Sequence, residues 1–100
     1  MIQVQLNLPT TTNSGKSTKK QLNQLEIETC EKFGGVTAFN GVGKWVDKNK
    51  LYFDKLRIYQ VAIEKKEKKE FVAMCKKYGK LTKQLAIYIV INNKPKIINI

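Results

Sequence analysis

Histidine is absent from this sequence of 100 residues, and cysteine occurs only twice, at Cys30 and Cys75. A tetrahedral zinc site needs four Cys or His ligands, so the composition excludes one. The usual imidazole base for a serine or cysteine nucleophile is missing as well. No paired carboxylates stand at neighbouring strand ends to act as acid and base. We therefore expect a non-enzyme without a metal or other cofactor.

Long hydrophobic runs are also missing. The longest wholly apolar stretch, Leu85 to Ile91, is much shorter than the roughly 20 residues of a membrane-spanning helix. Met1 to Leu8 alternates polar and apolar residues and has no pattern of a secretory leader. Residues 1–100 are expected to form a single domain, with a cytoplasmic location and both cysteines reduced.

Acidic residues are scarce. Nineteen basic side chains face eight acidic ones, a formal charge of +11, and Arg57 is the only arginine. An excess of this size favours an anionic partner. Lysine is a hydrated point charge, whereas specific base recognition favours the planar fork of arginine. The alternative is a solubilising surface that reflects only a lysine-rich composition.

The pattern along the chain indicates alternating strands and helices. Ile2, Val4, Leu6 and Leu8 alternate with polar residues, which is typical of a strand with one apolar face. Thr18 and Gln21 have the spacing of a capping box, and a helix is predicted from there to about Lys32. Its buried stripe would consist of residues three or four apart: Leu22, Leu25, Thr29 and Phe33, with Cys30 at the margin.

Glycine and turn residues separate the elements that follow. Gly34 and Gly35 end the first helix. The predicted elements are a strand from Val36 to Phe39 continued by Trp45 and Val46, a turn from Asp47 to Lys50, a strand from Leu51 to Ile63, a helix opened by Glu64 to Glu70 and closed by Gly79, a strand from Leu85 to Ile91, and a short edge strand from Lys96 to Ile100.

This order predicts an α+β fold of the ferredoxin-like βαββαβ type, an antiparallel sheet with two helices on one face. Because Leu85 to Ile91 is apolar on both sides, we expect a second copy to cover it in a homodimer. The alternative is that the tail from Lys96 to Ile100 folds back and covers it within one chain.

A partial phosphate-loop pattern precedes the first helix. Gly15, Lys16, Ser17 and Thr18 follow a strand and open a helix, but Thr10 stands where that motif needs its first glycine. Helix capping is the preferred interpretation, and nucleotide hydrolysis is disfavoured. Capture of a small anionic molecule at this helix start, helped by Lys16, is a lesser alternative.

The segment from Phe33 to Trp45 is the most distinctive. Gly35-x-Thr37 followed by Gly43-x-Trp45 and a hairpin resembles a family of small bacterial and mobile-element proteins of unassigned function, over about residues 33–63. The resemblance implies a ferredoxin-like fold but does not indicate an activity. For Trp45 itself, packing at a β-bulge on the sheet edge is the preferred interpretation, with an exposed binding residue as the alternative.

Lysines cluster around the two predicted helices. Such a face attracts nucleic-acid phosphates, and with one arginine the binding would be independent of sequence. The alternative is a solvated face, because Glu64, Glu67 and Glu70 lie at ion-pair spacing from neighbouring lysines. The predicted contacts to nucleic acid or a nucleoprotein are Lys16, Lys19, Lys20, Lys65, Lys66, Lys69, Lys76, Lys77 and Lys80.

A second functional hypothesis uses the hairpin. Trp45, Tyr52 and Phe53 would bind a host defence or replication protein, and the chain would be an inhibitor encoded by a mobile element. An RNA-binding sheet is disfavoured, since only Tyr59 and Tyr88 remain as candidates for base stacking.

Overall fold

The computed structural model describes all residues from Met1 to Ile100. A single turn of 3-10 helix, Lys65–Glu67, precedes the second α-helix. Neither α-helix has the length and apolar character needed to span a membrane. The elements are β1 (Ile2–Pro9), α1 (Lys19–Phe33), β2 (Thr37–Asp47), β3 (Lys50–Ile63), α2 (Lys68–Leu81), β4 (Ala86–Ile91) and β5 (Lys94–Asn99).

The protein has an α+β fold with one antiparallel sheet of five strands, in the order β2-β3-β1-β4-β5. The predicted order of strands and helices is present, and the predicted edge strand at the end of the chain forms as β5. The prediction of a simple four-stranded ferredoxin-like sheet needs correction, because the end of the chain adds β5 beside β4.

The core lies between the two helices and one face of the sheet. Val4, Leu6 and Leu8 of the central strand β1 point into it and are almost fully buried. Both neighbouring strands and both helices contribute to the same cluster of fourteen residues. In α1 the predicted stripe is confirmed at Leu22, Leu25 and Thr29, while Cys30 is exposed. Both helices therefore pack on the same side of the sheet, against the apolar face of β1.

The start of α1 differs from the sequence prediction. The Thr18 hydroxyl makes no capping hydrogen bond to the helix and instead donates to the Pro9 carbonyl at 3.0 Å. The predicted capping box with Gln21 is thus wrong. Thr18 is fully buried. Its hydroxyl fastens the start of α1 to the end of β1, a contact between elements that local spacing does not reveal.

The outer edge of β4 is covered within the chain. Tyr88 pairs with Ile97 and Ile89 with Lys96, so the tail does fold back as β5. Ile87 and Ile89 face the core, whereas Tyr88 lies on the other, uncovered face of the sheet. The edge therefore needs no second copy, and the homodimer stays a prediction that concerns only the uncovered face.

Gly79 does not end α2 as predicted, since the helix continues to Leu81. The glycine is buried, and a Cβ built on it would lie 2.9 Å from Ile87 Cγ2 and 2.8 Å from Ile100 Cδ1. The missing side chain lets α2 lie close against β4.

Gly79→Ala is expected to destabilise the protein by about 1 kcal/mol. Alanine normally stabilises a helix interior by about 1 kcal/mol relative to glycine, but overpacking a core costs about 1–3 kcal/mol. Urea denaturation measures the difference. Gly35→Ala is the control, because a Cβ there meets no atom within 4 Å. A Gly79→Ala protein more stable than wild type would contradict the close packing.

A charged network joins α1 to α2. Glu28 accepts hydrogen bonds from Lys77 Nζ at 2.7 Å and from the Tyr78 hydroxyl at 2.9 Å. Lys32 lies 3.5 Å from both Glu28 and Glu70. The hydrogen bond from Lys77 is the main cause that holds the pKa of Glu28 below its ordinary value, although burial opposes it. Burial and the contact with Glu28 raise the pKa of Tyr78 to about 12.

Glu28→Gln is expected to lower stability at neutral pH by about 1 kcal/mol, a modest value because the network is partly exposed. A carboxylate with a lower pKa in the folded state stabilises the fold above its unfolded pKa. That contribution is lost as the pH falls through the folded pKa. The difference between wild type and variant should thus shrink from pH 7 to pH 3 in urea denaturation. Glu31→Gln, which removes an exposed carboxylate outside the ion pairs from the same helix, is the matched control.

Candidate functional site

A concave site lies between the first turns of α1, the loop of residues 10–18 and strand β3. We call it the α1 groove, and its volume is about 510 Å³. A volume of this size suits a small-molecule ligand. The side chains that offer polar or charged groups to it are Thr10, Thr11, Ser17, Lys19, Asn23, Glu26 and Arg57.

The loop that forms one wall of the groove is held by its own hydrogen bonds. Thr12 N–H donates to the Lys16 carbonyl at 2.7 Å, and Gly15 N–H donates to the Thr12 carbonyl at 2.9 Å. Gly15 has a φ of 88°, a left-handed conformation that favours glycine. Thr10 N–H donates to the Lys55 carbonyl and ties the loop to β3. This wall of the groove is therefore an ordered loop that is held by hydrogen bonds.

The floor of the groove holds a chain of polar contacts between α1 and β3. The Tyr59 hydroxyl donates to Glu26 Oε2 at 2.8 Å, and Arg57 Nε lies 3.7 Å from the same oxygen. Arg57 Nη1 also donates to Asn40 Oδ1 on β2 at 3.0 Å. Side chains from three elements thus position one carboxylate and one guanidinium side by side, and each of these side chains is about 30% exposed.

The protonation state of Tyr59 follows from its surroundings. Burial, and then the hydrogen bond to Glu26, raise the pKa of this phenol far above its ordinary value. Tyr59 therefore remains a hydrogen-bond donor at every physiological pH. It fixes the Glu26 carboxylate and does not serve as a base.

The predicted basic residues do not form one site. Lys19 lines the α1 groove, while Lys69 and Lys76 line a different depression beside α2. Lys76, Lys77 and Lys80 border a neighbouring depression, although Lys77 is paired with Glu28. None of the four ion pairs in the structure involves the remaining predicted lysines, Lys16, Lys20, Lys65 and Lys66, which are all exposed.

The predicted aromatic contacts lie on an arm formed by residues 42–55 of β2 and β3. The pairing of β1 with β3 stops at Leu56, so the arm extends beyond the rest of the sheet. Trp45 stacks on Tyr52 with ring centres 5.6 Å apart, and 47% of Trp45 is exposed. Phe53 is also exposed. The β2–β3 pairing runs without interruption, so the predicted β-bulge at Trp45 is wrong. Docking of a partner here stays a prediction.

Sequence reasoning missed Glu26, Asn40 and Tyr59 as parts of a site. Tyr59 was considered only for base stacking on the uncovered sheet face, but it points into the helix side and is 1% exposed. One signal was available: Tyr59 stands in phase with Val61 and Ile63, which marks the buried face of β3. Its pairing with Glu26 required knowing where α1 packs. The structure holds no group of three His, Cys, Asp or Glu side chains suited to a metal ion.

Comparison with known proteins finds no matching family model and no matching curated protein. Two solved structures share the fold. A phage SAM lyase in its apo state aligns with a TM-score of 0.69 at 11% identity, over 98% of this chain and 88% of that chain. A phage SAM lyase in complex with S-methyl-5′-thioadenosine aligns with a TM-score of 0.65 at 13% identity and the same coverage. Identities this low establish a shared fold alone.

This likeness corrects the expectation that the chain is a non-enzyme. Over nearly its whole length, the chain shares its fold with solved structures of an enzyme. The expectation failed because it treated a lack of histidine and paired carboxylates as a lack of catalysis. Histidine and paired carboxylates are common in acid–base and nucleophilic mechanisms, but catalysis does not require them.

Trp45→Ala is expected to leave the fold intact and to lower stability by about 1 kcal/mol or less, the usual value of a cross-strand aromatic pair. Phe71→Ala, which removes a ring 1% exposed in the core, should cost about 3–5 kcal/mol. Urea denaturation of both variants gives the comparison. A loss at Trp45 as large as that at Phe71 would contradict the exposed position of the arm.

Proposed function

We propose that the chain binds S-adenosylmethionine in the α1 groove and cleaves it to S-methyl-5′-thioadenosine. The observation that carries this proposal is the correspondence of the whole chain with a phage SAM lyase, one of whose structures contains S-methyl-5′-thioadenosine. The groove supports the proposal independently. Its volume of about 510 Å³ is in the range of small-molecule sites, which extends from about 300 to 1,000 Å³.

The bond to be cleaved follows from the two molecules. S-methyl-5′-thioadenosine keeps the sulfur, its methyl group and the adenosine, so the sulfur separates from Cγ of the amino-acid portion. In the simplest balanced step, the substrate carboxylate oxygen attacks Cγ and the C–S electron pair returns to sulfur. A lactone and a neutral thioether result. No water, external base or proton is consumed.

In such a reaction the protein mainly has to position the substrate, and it need not supply a reacting group. The nucleophile and the leaving group both belong to the substrate, and folding it into an attack geometry supplies much of the rate. The reaction also neutralises a carboxylate and a sulfonium, so exclusion of water favours it. A groove with a rigid wall and a fixed floor meets this requirement without histidine.

The charged groups of the α1 groove are complementary to the substrate. Glu26 is the only carboxylate among the lining residues and offers a negative charge to the sulfonium or the ammonium. Arg57 and Lys19 offer positive charge to the substrate carboxylate. The side chains of Ser17 and Asn23 supply hydrogen-bonding groups for the nucleoside.

The activity test incubates the purified full chain with S-adenosylmethionine and separates the products by chromatography with mass detection. We expect S-methyl-5′-thioadenosine and a lactone in equal amounts. Homoserine in place of the lactone from the earliest time point would indicate hydrolysis. No thioether product above the uncatalysed background would overturn the proposal.

Glu26→Gln tests the groove itself. The amide can still accept the Tyr59 hydrogen bond, but the negative charge is lost, so affinity for the cationic S-adenosylmethionine should fall roughly fivefold to tenfold, about 1 kcal/mol. Affinity for the uncharged S-methyl-5′-thioadenosine should change less than about twofold. Calorimetry measures both. Glu31→Gln, with the same charge change on the exposed side of α1, is the matched control. Equal losses for the two ligands would contradict the proposed charge contact, and no loss for either ligand would place the binding site elsewhere.

A further inference from the structure

A second groove lies on the opposite flank of the helical layer, between α2 and the β4–β5 edge of the sheet. We call it the lysine groove, and its volume is about 430 Å³. Lys68, Lys69 and Lys76 of α2 and Lys96 of β5 surround it, and no acidic residue lines it. It shares no residue with the α1 groove.

The charges of the lysine groove have no counterion within the protein. The four ion pairs of the structure use the cations of Lys32, Arg57 and Lys77 and none of the four groove lysines. Glu67, just before α2, and Glu70, within it, have other partners. Glu67 accepts the Glu64 N–H at 2.7 Å, and Glu70 lies 3.5 Å from Lys32. Four like charges thus surround one depression without neutralisation, which favours an anionic ligand.

The positive surface continues along α2 as a row. Lys69, Lys76 and Lys80 lie seven and four residues apart, a spacing that places them on one face of the helix. Lys76 and Lys80 border a second depression that adjoins the lysine groove through Ala73 and Lys76. At 1.5 Å per residue, the row from Lys69 to Lys80 is about 16 Å long. A row of this length can contact several phosphates of a nucleic-acid duplex.

The floor of the groove indicates which form of nucleic acid fits it. Val72, Ala73 and Ile91 form it, and no aromatic ring lines either depression. Single strands are bound by stacking their bases on aromatic side chains, so this surface has no platform for them. It also lacks the buried aromatic anchor typical of a protein interface. A regularly spaced phosphate backbone is the ligand that matches lysines arranged in this way.

We propose that Lys68, Lys69, Lys76, Lys80 and Lys96 form a site for the phosphate backbone of a nucleic-acid duplex, independent of sequence. The contacts come from α2 and β5 alone. Three lysines at the start of α1 and in the loop before it had been grouped with them by the sequence, and they do not line this surface: Lys16, Lys19 and Lys20. Because the two grooves are separate, the site is independent of the proposed cleavage reaction.

The test measures binding of the full chain to a fluorescently labelled DNA duplex of random sequence by anisotropy at several salt concentrations. Five phosphate contacts predict a slope of log affinity against log salt of about −4 to −5. The triple variant Lys69→Gln, Lys76→Gln, Lys80→Gln should reduce the slope to about −2 and lower affinity roughly tenfold or more.

The matched control is the triple variant Lys20→Gln, Lys44→Gln, Lys48→Gln, which removes the same charge from exposed positions outside both depressions. Its affinity for the duplex should stay within about twofold of wild type. The slope of its salt dependence should stay within about one unit of wild type. Circular dichroism melts establish that both variants fold. Equal losses in the two variants would assign the binding to net charge and overturn the proposal. So would a flat salt dependence, or tighter binding of single-stranded DNA or polyglutamate than of the duplex.

Discussion

Only one face of β1 is apolar, and the architecture depends on covering it. Val4, Leu6 and Leu8 line the centre of the sheet, with β3 on one side and β4 on the other. Burial of such side chains is the main favourable term in folding, so both helices must lie on this side. Placing α1 over β3 brings Glu26 to Tyr59, and placing α2 beside β4 and β5 creates the lysine groove. Both grooves are consequences of the same packing.

The few acidic side chains explain why the two grooves differ in charge. Glu28 and Glu70 join the helices through lysines, and Glu67 caps the turn before α2. Glu26 is held by Tyr59 and Arg57 in the α1 groove. With these carboxylates engaged, the outer flank of α2 keeps its lysines unpaired. One groove therefore combines both signs of charge and the other only positive charge.

The reactions that a small protein can catalyse depend on whether the protein or the substrate supplies the nucleophile and the leaving group. A missing histidine removes the side chain whose ordinary pKa lies nearest to neutral pH. It does not exclude a cleavage in which the substrate supplies both the nucleophile and the leaving group. The proposed cleavage relies on a rigid groove with one carboxylate and one guanidinium, which are held in place by Tyr59 and Asn40.

By itself the sequence determined the α+β class, the alternating pattern of β1, the buried stripe of α1 and the hairpin turn, because each depends on residues close together in the chain. Only the tertiary structure decided that Thr18 fastens α1 to β1, that Gly79 lies inside a helix, and that the tail covers β4. The contact of Glu26 with Tyr59 belongs to the same group. These features join residues far apart in sequence, and their energies come from packing and hydrogen bonds that no local pattern records.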